Sequence, residues 1–167
     1  ADRYHARPLK SPRAVRHAQA RPMINHRGPE FQTLVTRVSA GMRPAFGTAQ
    51  DILILTASGT GGLEAAVVSF LSPGDAVLGI SIGNFGDRFA KIASTYGAHV
   101  TRLEGEWGQA ADPHEVRRQI RVMVAEGRSP RAVLVTFNET STGVTNPLRE
   151  LAEAIREEGP DTLILVD

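Results

Sequence analysis

Cysteine is absent from the 167-residue chain. That excludes a disulfide framework and a thiolate metal site, and it fits a reducing compartment. Lysine is nearly absent too: only Lys10 and Lys91 are present, and arginine supplies the rest of the basic charge. The net charge is only +1, so there is no basic field to hold a nucleic acid and no acidic tail. Long apolar runs are also missing. The longest, such as residues 52–55 and 163–166, are far too short to cross a bilayer. The N-terminus is polar and arginine-rich and lacks the apolar stretch of a secretory signal, so the expected location is the cytoplasm, away from membranes.

What remains is ordinary for a globular protein. The apolar fraction is 41% and the charged fraction 22%. A chain of this length buries about 70% of its unfolded surface, enough for one domain with a real core.

Residues 1–28 are punctuated by Pro8, Pro12, Pro22 and Gly28 and read as an arm, with a short helix near residues 12–20. From Pro29 the spacing of Phe31, Leu34, Val35, Val38 and Met42 predicts a helix, closed by Pro44 and Gly47. The chain then alternates. The short apolar run at 51–56 predicts a buried strand, and residues 76–80, 99–103, 132–136 and 162–166 predict four more strands. Helical patterns at 63–71, 84–96, from Pro113 onward, and at 148–158 separate them, with Asp112 and Asn146 as expected caps. Alternation of this kind predicts an α/β fold: a mostly parallel sheet with helices on both faces. Ligands bind such sheets at the carboxyl ends of the strands. The chain stops one residue after a strand, at Asp167, so it reads as a portion of a longer protein, with residues 29–167 the first part of a ligand-binding domain.

The segments that follow the strands carry the candidate chemistry. Thr56-Ala-Ser-Gly-Thr-Gly-Gly62 joins a strand to a helix and offers free amides, hydroxyls and a positive helix end, which suits a phosphate monoester. A tight turn that merely needs glycine is the alternative. The loop is not a P-loop, since no Gly-Lys-Ser/Thr follows. It is not a dinucleotide fingerprint either, since Glu64 stands where the last glycine would be. Phe85, just past a strand, could stack on a planar ligand or simply begin the core stripe of its helix. Residues 136–144 (TFNETSTGV) are a cluster of short hydrogen-bonding side chains, or a polar loop with caps. Asp167, a carboxylate ending an apolar run, needs a partner if buried. A cationic ring nitrogen, a helix end or a metal would serve. His26 and Arg27 stand before the Pro29 helix, where an arginine can take a carboxylate bidentately or belong to a solvated arm.

Taken in order, these segments resemble the class V aminotransferases, and within them the alanine–glyoxylate and serine–glyoxylate group. The segments are Met23-Ile-Asn-His-Arg-Gly-Pro-Glu-Phe31, Ser58-Gly-Thr-Gly-Gly-Leu-Glu-Ala-Ala66, Ser72-Pro-Gly-Asp75, Gly83-Asn-Phe-Gly-Asp-Arg88, Asn138-Glu-Thr-Ser-Thr-Gly-Val144 and Leu163-Ile-Leu-Val-Asp167. The resemblance covers nearly all of residues 21–167.

It implies the fold type I pyridoxal-phosphate architecture, a homodimer, and transfer of an amino group from a small amino acid to glyoxylate or pyruvate. Carried over by motif, Ser58, Gly59 and Thr60 would hold the phosphate of pyridoxal 5′-phosphate. Phe85 would stack on its ring, Thr140 and Asn138 would bond the ring hydroxyl, and Asp167 would pair with the protonated ring nitrogen. The family's Schiff-base lysine is not among residues 1–167, because neither Lys10 nor Lys91 matches its motif, so no catalytic residue is assigned. The Gly-Pro-rich N-terminal segment usual in the family is replaced by Leu9-Lys-Ser-Pro12. The family's small domain, with its substrate-binding arginine, is also not represented.

Within the same cofactor chemistry, a cysteine desulfurase-like lyase is the rival, though such enzymes usually carry histidine where Phe85 stands. Outside it, the rivals are a nucleotide-binding doubly wound domain and a non-catalytic scaffold. Alone, the chain is expected to be poorly stable, with sheet edge and dimer surface exposed.

Overall fold

A computed structural model describes residues 11–167, so Leu9, Lys10 and the first part of the expected arm lie outside the described residues. The chain divides into two compact units, Ala1–Ile54 and Leu55–Asp167.

The first unit contains helices α1 (Arg13–Gln19) and α2 (Pro29–Phe46). Pro29 starts α2 because its fixed φ suits the first turn and its missing N–H is not needed there. The helix runs past Pro44 and ends at Gly47, which takes the left-handed φ of 58°. Arg43 of the last turn pairs with Asp51 at 2.8 Å and bonds the Gln50 carbonyl at 3.1 Å. The expected apolar stripe is present, but Leu34, Val35, Val38 and Met42 are exposed, and no residue of α2 is buried.

The second unit is the α/β sheet structure. In chain order it contains α3 (Gly59–Phe70), β1 (Ala76–Ser81), α4 (Asn84–Thr95), β2 (His99–Glu104), α5 (Pro113–Ala125), β3 (Ala132–Val135), the short strands β4 (Asn138–Glu139) and β5 (Val144–Thr145), α6 (Leu148–Glu158) and β6 (Leu163–Val166). The main sheet is parallel, in the order β2-β1-β3-β6. Its inner strands β1 and β3 are buried nearly throughout, as continuous apolar runs require when both faces are covered.

The pleat sorts alternate residues into two cores. On one face Leu78, Ile80, Val133 and Val135 pack on Val116, Ile120 and Met123 of α5 and Leu151 and Ile155 of α6. On the other, Val77, Ala132, Leu134 and Leu165 pack on Leu63 and Val67 of α3 and Phe89, Ile92 and Ala93 of α4. Asp112 caps α5 as expected, accepting from the His114 amide at 2.8 Å.

The structure departs from the sequence expectations in three places. Residues 51–56 form no strand: Leu53, Ile54 and Leu55 are 84%, 59% and 52% exposed. A strand needs a neighbour to take its N–H and C=O groups, and among the described residues this run has none. Segment 136–144, expected as a loop, contains a small antiparallel hairpin with Asn138 opposite Thr145 and Glu139 opposite Val144. Asn146 does not cap α6. Pro147 holds the cap position, and the buried Asn146 side chain instead accepts from the Ala111 amide and donates to the Thr136 carbonyl, both at 2.8 Å. Among the described residues no helix is long and apolar enough to cross a membrane.

Helix α4 lies close to β1 because Gly86 faces the strand. A Cβ there would sit 2.9 Å from both the Ile80 carbonyl oxygen and the Ser81 Cα. Backbone cannot yield as a flexible side chain can. Gly86→Ala is therefore expected to lower stability by about 1–3 kcal/mol, read from urea unfolding of the full-length protein. An unchanged midpoint would show that α4 moves freely on the sheet.

Candidate active site

The strand order sets the place. The chain leaves β1 for β2 on one side, then returns past β1 to build β3 on the other. The connections after β1 and β3 therefore leave toward opposite sides of the sheet, the place where ligands bind open parallel sheets, and their first residues meet through Glu139 and Ser141. Helices α3 and α4 pack on one face of the sheet. Because α3 ends in the short turn leading into β1 and α4 begins just after β1, both helix N-termini lie at this same edge.

The two N-termini are furnished differently. In α3, Ser58 holds the extended cap position but its side chain caps nothing, and the first turn contains no acidic residue. Ser58 and Gly59 are exposed and Thr60 is half-buried. Around Gly59 and Gly62 the space a Cβ would take is open, whereas at Gly61 a Cβ would come within 2.7 Å of the Ala57 Cβ. The positive end of this helix is thus free to meet an anion.

In α4 the corresponding end is filled. Glu139, fully buried, places one carboxylate oxygen 3.0 Å from the Phe85 amide and 3.1 Å from the Gly86 amide. Its other oxygen accepts from the Ser141 amide at 3.2 Å and the Ser141 hydroxyl at 2.5 Å. That hydroxyl accepts in turn from the Asn84 amide at 3.0 Å. Gly83 makes room: a Cβ there would lie 2.6 Å from the Glu139 carboxyl carbon and from the Ser141 Oγ.

Beside this cluster lie the expected site residues. Phe85 is half-buried, with the Arg88 guanidinium 4.9 Å from its ring centroid. Asn138 and Thr140 flank Glu139 and are exposed, and Asn138 accepts from the Thr145 hydroxyl at 2.9 Å. Asp167 extends the β3–β6 ladder: its amide donates to the Val135 carbonyl and its carbonyl accepts from the Phe137 amide, both at 2.9 Å. By pleat alternation Thr136 and Asp167 share the face of Leu134 and Leu165, toward α3 and α4. The Thr136 hydroxyl is buried there with no hydrogen-bond partner among the described residues.

Although Asp167 is exposed as a residue, its carboxyl titrates above the ordinary aspartate range. Loss of hydration is the main cause and the Glu139 carboxylate the second, while Arg88 opposes both. A cation brought to Asp167 would relieve that strain on its ionised form.

The structure thus gathers Phe85, Asn138, Thr140 and Asp167 at the ends of β1, β3 and β6, on the edge where Ser58, Gly59 and Thr60 open α3. His26 and Arg27 belong to the first unit, exposed in the turn before α2, where the Arg27 amide donates to the Asn25 side chain at 3.0 Å. A groove of about 580 Å³ runs along α4, lined by Asn84, Asp87, Arg88, Lys91 and Arg102, and meets the cluster at Arg88. Among the described residues no group of histidine and carboxylate side chains is placed to hold a metal. Sequence reasoning did not single out Glu139 or Arg88. The available signal was one acidic residue among short polar ones, four positions past a buried strand, facing a strand-end glycine.

The profile of the family described as Aminotransferase class-V matches residues 14–167. Over 160 residues the chain is 36% identical to the soluble hydrogenase 42 kDa subunit of Anabaena cylindrica, covering 96% of this chain and 41% of that protein. Over 164 residues it is 33% identical to the L-aspartate–glyoxylate aminotransferase of Paracoccus denitrificans, covering 96% and 40%. Its fold matches that of an aspartate aminotransferase of subgroup IV from Thermus thermophilus with a TM-score of 0.81 and 34% identity, over 90% of this chain and 41% of that one. The chain spans about 40% of the length of the curated relatives it matches.

Proposed function

The chain belongs to the class-V aminotransferase family, and on that premise we propose that it forms the cofactor-facing part of a pyridoxal 5′-phosphate-dependent transaminase. The observation that carries the reading is the pairing of an open helix N-terminus at α3 with a carboxylate at Asp167 whose ionised form is disfavoured by lost hydration and by Glu139, beyond what Arg88 offsets. A phosphate at one end and a protonated ring nitrogen at the other would satisfy both.

The residues fit that group. The amides of the first α3 turn, with the hydroxyls of Ser58 and Thr60, would bind the phosphate dianion, and the open space at Gly59 and Gly62 admits it. Phe85 would bear on the ring. Thr140 and Asn138 would bond its hydroxyl. Asp167 would hold a proton on the ring nitrogen. The bound cofactor supplies an electron sink for the pair left when a substrate carbon gives up its proton. Asp167 would maintain that sink by keeping the ring cationic.

The base that moves the proton is assigned to no residue of this chain. Lys91 stands on the α4 groove, and Lys10 lies outside the described residues. We assign the substrate carboxylate to His26 and Arg27, and the division of the chain to an arm at residues 1–28 followed by the large domain from residue 29. The donor would be a small amino acid such as alanine or serine and the acceptor glyoxylate or pyruvate, in a cytoplasmic protein. The exposed apolar stripe of α2 supports a homodimer.

The test is the visible spectrum of the full-length protein before and after borohydride. A visible band that reduction abolishes, with phosphorus retained through denaturation, is expected. Addition of alanine or serine should bleach the band and glyoxylate restore it. A protein with no such band, even after incubation with pyridoxal phosphate, would count against the reading.

A further inference from the structure

Two helix N-termini share the carboxyl edge of the sheet, and the fold treats them in opposite ways. The α3 end has no side-chain cap and no acidic residue in its first turn. The α4 end has a carboxylate of its own, from a residue 53 positions farther along the chain. We propose that Glu139 is a positioning residue for the cofactor: it serves as a built-in anion that closes α4, fixes the backbone of Phe85, and leaves α3 as the end open to an external phosphate. This rests on the cofactor reading above.

The energetics require a dedicated arrangement. A fully buried carboxylate is costly unless its lone pairs are met. Here none of the ion pairs among the described residues involves Glu139. Its charge is instead met by three backbone amides, one hydroxyl and the α4 dipole. Apolar packing alone could hold α4 on the sheet, as Phe89, Ile92 and Ala93 do. It would not fix the backbone of Phe85 against the segment carrying Asn138 and Thr140. Glu139 does so directly, because one oxygen serves the α4 turn and the other serves Ser141. The same charge acts on Asp167, where the charged groups that matter are Glu139 from β4 and Arg88 from α4. Glu139 therefore acts on Asp167 through its charge as well as on Phe85 through its hydrogen bonds.

The experiment uses the full-length protein freed of cofactor, with pyridoxamine 5′-phosphate as probe. Affinity is measured against pH for the wild type, Glu139→Gln and Ser141→Ala. Wild-type affinity should fall on the acid side as Asp167 takes up a proton, since only the carboxylate can pair with a protonated ring nitrogen. Glu139→Gln removes the charge that disfavours ionised Asp167. Its acid limb should move to lower pH, while affinity on the plateau drops about tenfold as Phe85 loses its anchor. Ser141→Ala removes hydrogen bonds but keeps the charge, so its limb should stay with the wild type. The probe's own ionisations are common to all three proteins and cancel in the comparison. A Glu139→Gln protein that binds the probe with an unmoved acid limb would overturn the proposal alone. A wild type that binds no probe at any pH would overturn the cofactor reading and this inference together. Should Glu139→Gln not fold, hydrogen exchange in the wild type decides: protected amides at Phe85 and Gly86 support the proposal, and rapid exchange there overturns it.

Discussion

Asp167→Asn is expected to cut turnover of the full-length protein by about 10²–10³-fold while making its cofactor-free form more stable at neutral pH. The first effect follows from the role proposed for Asp167: if it holds a proton on the ring nitrogen, its removal takes away a preorganised charge, a loss typically of that size. The second follows from linkage. The Asp167 carboxyl titrates above its ordinary value in the folded chain. Its contribution to stability is then fully present below the unfolded pKa and is lost as pH rises through the folded one. At neutral pH the ionised group is a burden on the cofactor-free protein, and asparagine removes it. Activity assays and thermal unfolding of stripped protein at neutral and acid pH check both halves. A variant that loses activity and stability together would assign Asp167 a structural role.

Asn146→Ala should lower the unfolding free energy by roughly 2–4 kcal/mol, because it strands a buried amide and a buried carbonyl at once. The amide is that of Ala111, just before α5, and the carbonyl is that of Thr136, just after β3. Both residues are buried, so water cannot replace the lost partners without entering the core. Asn146→Asp should be worse at neutral pH than at acid pH: a carboxylate would still accept from Ala111 but would oppose the Thr136 carbonyl. Its folded pKa would rise, and protonation would restore a donor. Equilibrium unfolding across that pH range measures the difference. A loss in Asn146→Asp that does not vary with pH would mean that its side chain has left the core.

The parts of the fold that were legible are those whose evidence is local. The runs at β1, β3 and β6 look like strands because they are mostly apolar; β1 and β3 are buried on both faces, while the edge strand β6 buries Leu165 and leaves Val166 exposed. The run at 51–56 looks the same and is not a strand. Composition reports what a segment would bury, but not whether a neighbour exists to accept its hydrogen bonds. Asn146-Pro147 resembles a helix cap for the same reason, since the competing partners, Ala111 and Thr136, lie 35 and 10 residues away. At the site, Phe85 and Asp167 were accessible through their places after strands. Glu139 was not, because a buried carboxylate and a solvated one are the same letter. What distinguishes them is Gly83, 56 residues earlier, whose missing side chain becomes meaningful only once the two loops meet.

The order in which the strands pair bears on how the protein is made. Strand β2 joins β1, β3 joins β1, and β6 joins β3, so each finds a partner already synthesised. A chain emerging from a ribosome can therefore extend this sheet one strand at a time, without waiting for later sequence. Residues 52–55 are the exception. They precede every strand, they are apolar, and no strand among the described residues receives them. During synthesis they are a bare apolar run of the kind a holding chaperone covers.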